Sequence, residues 1–381
     1  SIEGILFSKD GTLLHTYPAG KPDTSYIIPD SVTSIGERAF YYCDSLTEII
    51  IPDSVTSIGD SAFYRCSSLT NAVIGNGVTS IGERAFANCS SLTEIIIPDS
   101  VTTIGYRTLC GCSSLEKITL GNSLTTIGYQ AFMGCRALTE IVIPNSVTLI
   151  EESAFSGCEA LSHLALGNGL DTIGDNAFMG CKSLSSITIP NSVTTIGAGA
   201  FASCSSLSQV ILPDALTTIE SMLFSSCSSL TAITLPDTIT SIGEMAFADC
   251  VNLTRINIPD SVTEIGNWAF AFCEALPEIT LSSSLAEIGD RVFTYCKSLM
   301  RFFFASEQPP LTGILPFYYS PEQAIIYYPA GAEANWGTEW QGFATAPWER
   351  SESLLLSQVS AETDSETGKV IFTLTFTDAQ Q

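Results

Sequence analysis

Histidine is nearly absent: the 381 residues hold only His15 and His163. That leaves little material for imidazole-based metal sites or acid–base chemistry. Basic residues are scarce too, 15 Lys and Arg against 40 Asp and Glu, for a formal charge of −25. So acidic a chain repels phosphate backbones and anionic lipid, which argues against nucleic-acid and membrane-surface partners. Charged residues of both signs make up only 14% of the chain, so Ser, Thr, Asn and Gly must supply much of the polar surface. No apolar run approaches the ~18 residues of a membrane helix, which excludes membrane insertion within this chain. Also missing are G-x-S-x-G, the P-loop, H-E-x-x-H and the dinucleotide fingerprint. No catalytic residue, metal ligand or cofactor is therefore assigned, and the chain reads as a non-enzyme. It starts at Ser1 without a basic-plus-apolar leader and reads as a trimmed or mature form whose targeting signal lies elsewhere.

What is present is a repeat. Phe recurs every 23 residues from Phe40 to Phe293, with Leu109 filling the one gap. Cys follows three residues after each of these positions, from Cys43 to Cys296, and Leu three further on, from Leu46 to Leu299. Ile stands five before each, from Ile35 to Ile288, and twelve units run from about Ile28 to Phe304 without insertion or deletion. Within one unit, Leu46-x-x-Ile49-x-Ile51 alternates like a short strand with one buried face. Pro52-Asp53-Ser54 then stops it, because Pro cannot donate to a ladder and Asp and Ser favour turns. Val55 and Ile58 turn inward, Gly59 marks a corner, and Ala62, Phe63 and Cys66 are spaced like one side of a short helical turn.

No single unit can bury so many apolar positions, whereas stacked coils can. The expected fold is an α/β repeat solenoid with twelve coils, a parallel sheet along one side and short helical or 3-10 turns along the other. With strands ~4.8 Å apart it would be on the order of 58 Å long. A second period lies beneath the first: the residue after each strand alternates Pro52, Gly75, Pro98, Gly121, Pro144, Gly167, Pro190 and then stays Pro. This predicts slightly different turns on odd and even coils.

Units such as IPDSVTSIGERAFYYCDSLTEII resemble the bacterial BspA-type leucine-rich repeats, over about residues 28–304. The resemblance implies a cell-surface or secreted bacterial protein with an adhesive or protein-binding role. Departures are small: Leu109 for Phe, Glu151 and Glu220 for the corner Gly, and a decayed last turn at Ser282-Ser283.

A solenoid needs caps over its open ends. Residues 1–27 read as a hairpin, Gly4–Phe7 and Thr12–Tyr17 joined through Asp10-Gly11. Residues 305–349 form an aromatic and Pro-rich cap that resembles the segments closing BspA-type arrays. Residues 350–381 are a polar tail with one strand, Lys369–Thr377, which is either a sheet-edge addition or the start of a truncated module.

The Cys ladder lacks the paired C-x-x-C knuckles of zinc sites and reads as buried free thiols rather than scattered disulfides or metal ligands. Cys110 stands outside the ladder, with no His near it in sequence to make it a nucleophile. A row of turn residues from Asp30 to Asp260 reads as turn-forming Asp and Asn rather than a calcium ladder.

The positions left free by the repeat are informative. If Leu46, Ile49 and Ile51 point inward, residues at 48 and 50 plus multiples of 23 point out. The first row includes Glu48, Glu94, Lys117, Glu140, His163, Gln209, Arg255, Glu278 and Arg301; the second carries Ile50, Val73, Ile96, Val142, Ile211 and Phe303. Together they give an apolar stripe, acidic at the N-terminal end and basic near Arg255 and Arg301. Such a stripe marks either a partner surface or merely good strand formers. The leading expectation is a monomeric adhesin-like module binding a protein of host extracellular matrix or of a neighbouring cell, or a glycan. Arg255, Arg301 and Phe303 would be its anchors. The alternative is a structural spacer that displays another module.

Overall fold

The computed structural model describes residues 3–348 and, as backbone, the strands Leu355–Thr363 and Val370–Thr377. Each repeat makes one coil of a stack in which a residue sits beside its counterpart 23 positions away. Glu48–Ile51 pairs parallel with Asn71–Ile74 in that register, Glu48 beside Asn71 and Ile51 beside Ile74. Inward and outward residues alternate as expected, with Ile49 and Ile51 buried and Glu48 and Ile50 half-buried.

Fifteen such main strands lie among the described residues, from Ser25–Ile27 to Phe343–Trp348. Twelve fall inside the repeat, and the ladder runs on past it at both ends. Arg301–Phe304 pairs with Ile325–Pro329, which pairs with Phe343–Trp348, all parallel. At the other end Leu6–Phe7 and Leu13–Thr16 pair antiparallel, and Leu13 and Leu14 then continue into the stack beside Ser34 and Ile35.

The far side differs from expectation. No helix forms there; the one helix among the described residues is Glu333–Trp336, beyond the repeat. Instead each coil carries a second strand of two residues, such as Ser57–Ile58, which builds its own parallel ladder. After it come tight turns with positive-φ residues, Ser61 (54°) and Arg65 (58°) in the coil of Phe63. Turns win because the backbone N–H groups are needed between coils: Phe40 N–H donates to Ala62 O at 2.7 Å, and Phe63 N–H to Ala85 O at 2.7 Å. A helix would have kept those donors for itself.

The tail carries one strand more than expected. The sequence places one strand there, but Leu355–Thr363 and Val370–Thr377 pair antiparallel with each other. The first strand escapes sequence reading because its Leu-rich start is followed by polar residues. Lys369, where the expected strand begins, lies outside the described residues.

Burial explains the consensus. Phe40, Phe63 and Phe86 stack face to face, and a longer stack runs from Phe132 to Phe317 through Phe293, with neighbouring centroids 4.8 to 6.0 Å apart across the two stacks. Leu109 separates the two stacks and is itself fully buried. Each ladder thiol donates to the carbonyl of the Phe position one coil back, as from Cys66 Sγ to Phe40 O at 3.0 Å. The thirteen cysteines are free, and all but Cys110 are buried.

The Pro and Gly alternation has a steric cause. A Cβ at Gly75 would lie 2.5 Å from the carbonyl carbon of Pro52 in the coil before, and one at Gly167 would lie 2.4 Å from Pro144 O. In these coils the backbone lies close enough to its neighbour that a Cβ would have to shift it, whereas from Pro190 onward Pro follows Pro in the same column.

Thiol reactivity should follow from this packing. Burial pushes the Cys110 thiol up, while Arg107 and Arg84 nearby pull it back toward ionisation. At neutral pH a thiol titration of the folded protein with Ellman's reagent is expected to find one reactive cysteine, Cys110, and all thirteen in denaturant. Two or more fast thiols in the native protein would mean the coils open far more readily than their packing implies.

Candidate partner-binding face

The main strands position the candidate site. Because side chains alternate along a strand, every second residue of fifteen parallel strands points out, in columns set by the 23-residue register. In the first column Glu94 lies beside Lys117, Glu140 beside His163, Ala232 beside Arg255 and Glu278 beside Arg301. Glu94, Lys117, Glu140, His163, Gln209, Arg255, Glu278 and Arg301 are exposed, and Glu48 is half-buried. Glu48 is held by the neighbouring coil, its Oε1 accepting from Asn71 Nδ2 at 3.2 Å. His163 Nδ1 lies 2.9 Å from Ser162 Oγ.

The expected basic end is weaker than its sequence suggests. Arg301 Nη2 is 2.5 Å from Glu278 Oε2, so its charge is largely neutralised within the column. Among the described residues Lys117 and Arg255 have no ion pair, and they are the free cations of this face.

The second column carries the apolar stripe. Ile96, Val142 and Ile211 are 62%, 69% and 61% exposed, and Ile27 and Val73 are exposed with them. At its C-terminal end the stripe becomes aromatic: the Phe303 ring stacks on Tyr327 at 4.8 Å and meets Trp348 at 5.0 Å. Trp348 Nε1 donates to Phe304 O at 3.2 Å, which fixes that indole against the strand. Phe303 is thus half-buried within a three-ring platform rather than a lone projecting anchor.

Hydrogen bonding along the main ladder is interrupted three times, between Lys117–Thr119 and Glu140–Val142, between His163–Ala165 and Ser186–Thr188, and between Gln209–Ile211 and Ala232–Thr234. At the first interruption an open groove of about 400 Å³ is lined by Lys117, Thr119, Asn122, Glu140, Val142 and Pro144. It brings both charges of the first column beside the exposed Val142.

Elsewhere the polar rows are used for stacking. Asp53 Oδ1 accepts from Asn76 N–H at 2.7 Å, and Asp99 Oδ1 from Asn122 N–H at 2.6 Å. Threonine hydroxyls likewise donate to the preceding coil, as from Thr47 Oγ1 to Thr24 O at 2.9 Å. These acids and amides tie one turn to the next, and among the described residues no group of three His, Cys, Asp or Glu is placed to hold a metal ion.

The arrangement is a broad, preordered surface, and its coil geometry has counterparts. Six copies of the family described as BspA type Leucine rich repeat region match residues 20–139, 125–231 and 217–314. The chain belongs to the BspA-type leucine-rich repeat family. This BspA-type chain is similar to the crystal structure of a leucine-rich repeat protein from Bacteroides ovatus, with 28% identity, 91% of this chain and 98% of that one covered, and a TM-score of 0.71. A leucine rich cell surface protein from Faecalibacterium prausnitzii is 32% identical over 72% of this chain and 92% of that one, with a TM-score of 0.44. The pneumococcal vaccine antigen PcpA shares the fold, at 17% identity and a TM-score of 0.55 over 91% of this chain and 99% of that one. No curated protein matches the sequence.

BspA-type proteins are bacterial, generally surface-associated and protein-binding, and their solenoids are typically non-enzymatic scaffolds. Among the described residues of this chain no helix is long and apolar enough to cross a membrane.

Sequence reasoning missed one group of surface residues altogether. Arg38, Tyr41, Tyr42, Tyr64, Arg65, Arg84, Tyr106, Arg107 and Tyr129 cluster on the turn edge of the first coils. They fall in columns counted from residues 37, 38, 41 and 42. A tally of arginines would have found Arg38, Arg84 and Arg107 in one column, but not Arg65 or the tyrosines beside them.

Proposed function

We propose that this chain is a non-enzymatic, adhesin-like protein, secreted or held at the bacterial surface, that captures a partner protein on its outward main-strand face. The partner would belong to host extracellular matrix or to a neighbouring cell. The supporting observation is the exposed apolar column, Ile96, Val142 and Ile211 above all, on a ladder whose backbone is already ordered. A surface ordered before binding loses little conformational entropy on contact, so moderate contacts add up and a few anchors dominate. Lys117 and Arg255 supply the charges not consumed within the protein, and the Phe303, Tyr327 and Trp348 rings supply a flat apolar end.

The test is binding of the purified chain to a panel of matrix proteins and glycans at a physiological salt of about 150 mM. Saturable binding to a protein is expected, weakened by about tenfold or more in an Ile96→Asn/Val142→Asn variant if these are anchors. Arg255→Glu with Arg301→Glu should weaken it too, mainly through Arg255. Binding left intact by both variants would move the site off this face, and no binding across the panel would favour the display-stalk reading.

A further inference from the structure

The turn edge of the first four coils carries a patch unlike the rest of the molecule. Arg38, Arg65, Arg84 and Arg107 place one guanidinium on each of four successive coils, using four of the fifteen basic residues of a chain with formal charge −25. Five of the twelve tyrosines, Tyr41, Tyr42, Tyr64, Tyr106 and Tyr129, lie among them. The patch is bounded. In the column of Tyr42 and Arg65 the next coils bring Asn88, then Gly111, Gly134, Gly157 and Gly180.

Its geometry holds the cations in place. Arg65 lies over the Tyr42 and Tyr64 rings at 5.4 and 5.7 Å and donates from Nη1 to the Tyr42 hydroxyl at 2.9 Å. Arg84 and Arg107 both lie 5.0 Å from the Tyr106 ring. Arg84 Nη2 donates to the Tyr106 hydroxyl at 3.3 Å, and Arg107 Nε to Gln130 Oε1 at 2.6 Å. Cation–π contact and neutral hydrogen bonds orient these groups without cancelling their charge.

Carboxylates of the same edge pair with only one of the four. Glu37 approaches Arg38, at 3.6 Å. Asp60 Oδ1 is occupied by Glu83 N–H at 2.8 Å, Glu83 itself forms no ion pair with the arginines, and after Glu83 that column turns to Tyr106 and Tyr129. Among the described residues Arg65, Arg84 and Arg107 have no ion pair. Two like charges fixed against one ring repel each other, and an anion from outside relieves that repulsion.

The ring faces say which kind of anion carrier fits. Tyr41 stacks on Tyr64 at 5.2 Å and Tyr106 on Tyr129 at 5.4 Å, and the arginines cover further faces. Most of those faces are taken by a ring or a guanidinium, which leaves a sugar ring little flat aromatic surface, whereas the guanidinium forks remain open to carboxylates. Four coils at ~4.8 Å spacing span about 15 Å, the length of about five extended residues, whose alternate side chains share one side.

We infer that the turn edge of the first four coils binds an acidic, extended polypeptide segment, with Arg65, Arg84 and Arg107 receiving its carboxylates. This surface lies outside the main-strand columns and stands or falls separately from them. The probe is a fluorescein-labelled ten-residue peptide of alternating Glu and Ser, titrated with the full chain and followed by fluorescence polarisation, with heparin in a parallel arm. Saturable binding is expected that weakens as salt is raised. An Arg84→Gln/Arg107→Gln variant should bind about tenfold or more weakly, the size expected for losing charge-assisted hydrogen bonds. Lys297→Gln, near the other end of the stack and already paired with Glu274, should bind as the unaltered chain does. An unchanged thermal melt for each variant separates lost contacts from lost folding, and Arg65→Gln provides a second variant should the double one melt early. The inference is overturned if the peptide does not bind at low salt, if the Arg84/Arg107 and Arg65 variants bind it normally, or if heparin binds through these arginines while the peptide does not.

Discussion

Raising the pH to about 10 is expected to unfold this protein, and its cysteine ladder is the reason. Burial pushes the Cys112, Cys158, Cys204, Cys250 and Cys296 thiols up to about 12, and Cys135, Cys181, Cys227 and Cys273 well above their ordinary value. An unfolded thiol titrates near 8.5. Between that value and the raised one the folded chain keeps protons that the unfolded chain releases, so stability falls as pH rises. It is fully present below about pH 8.5 and is lost through the window toward about 12. At about pH 10 each of the five thiols raised to about 12 contributes about 2 kcal/mol toward unfolding. Those five together rival the ~5–15 kcal/mol that holds an ordinary domain folded, and Cys135, Cys181, Cys227 and Cys273 add in the same direction.

Circular dichroism against pH, with a phosphine reductant present, measures this. A sharp loss of β signal before about pH 10.5 is expected, and a Cys181→Ala/Cys227→Ala variant should show a shallower pH dependence while being less stable at neutral pH. A signal unchanged to about pH 11 would show that the thiols ionise in place, against their burial.

Phe178→Ala should be the most damaging single truncation in the central stack. The ring is fully buried and lies parallel to Phe155 at 5.2 Å and Phe201 at 5.5 Å. Its removal takes away buried apolar surface and two ring contacts at once and leaves a cavity between three coils. The expected cost is about 3–5 kcal/mol, read as a lower urea midpoint. A coil cannot collapse inward to close that gap, because its backbone is bonded to both neighbours: Asn176 N–H reaches Ala198 O at 2.8 Å, and Phe155 N–H reaches Ala177 O at 2.7 Å. A cost under about 1 kcal/mol would mean that the stack repacks freely. Leu109 shows what the site does accept, a branched aliphatic side chain that keeps the core filled while breaking the aromatic stack.

The period, the strand positions and the inward or outward sense of each strand residue were legible because one spacing recurs twelve times and stacking turns it into a core. Ile49 and Ile51 are buried and the Ile96 and Val142 column is exposed, as alternation requires. The far side was not legible. Ala62, Phe63 and Cys66 have a spacing shared by a helical turn and by consecutive tight turns, and only bonds to the next coil, such as Phe63 N–H to Ala85 O, decide between them. The two-residue strands, such as Ser57–Ile58, are too short to leave any alternation to read.

Charge was legible in composition but not in pairing. Arg301 looks free in sequence, yet the register sets it beside Glu278. The Arg and Tyr patch was hidden for a different reason. Arg38, Arg84 and Arg107 share one column while Arg65 stands in another, and Tyr106 lies in a third, so no single column displays the cluster. Folding alone brings Arg84 and Arg107 to one ring.

The parallel ladder puts the hairpin Leu6–Thr16 at one end of the stack and Phe343–Trp348 at the other. Tension applied across those ends would load the coils in series and peel them from an end one at a time. Each coil that lets go would release about 23 residues, roughly 75–80 Å of extended chain, in place of the ~4.8 Å it occupied in the stack. Under tension such a molecule would yield in even steps, each limiting the force passed along the stack.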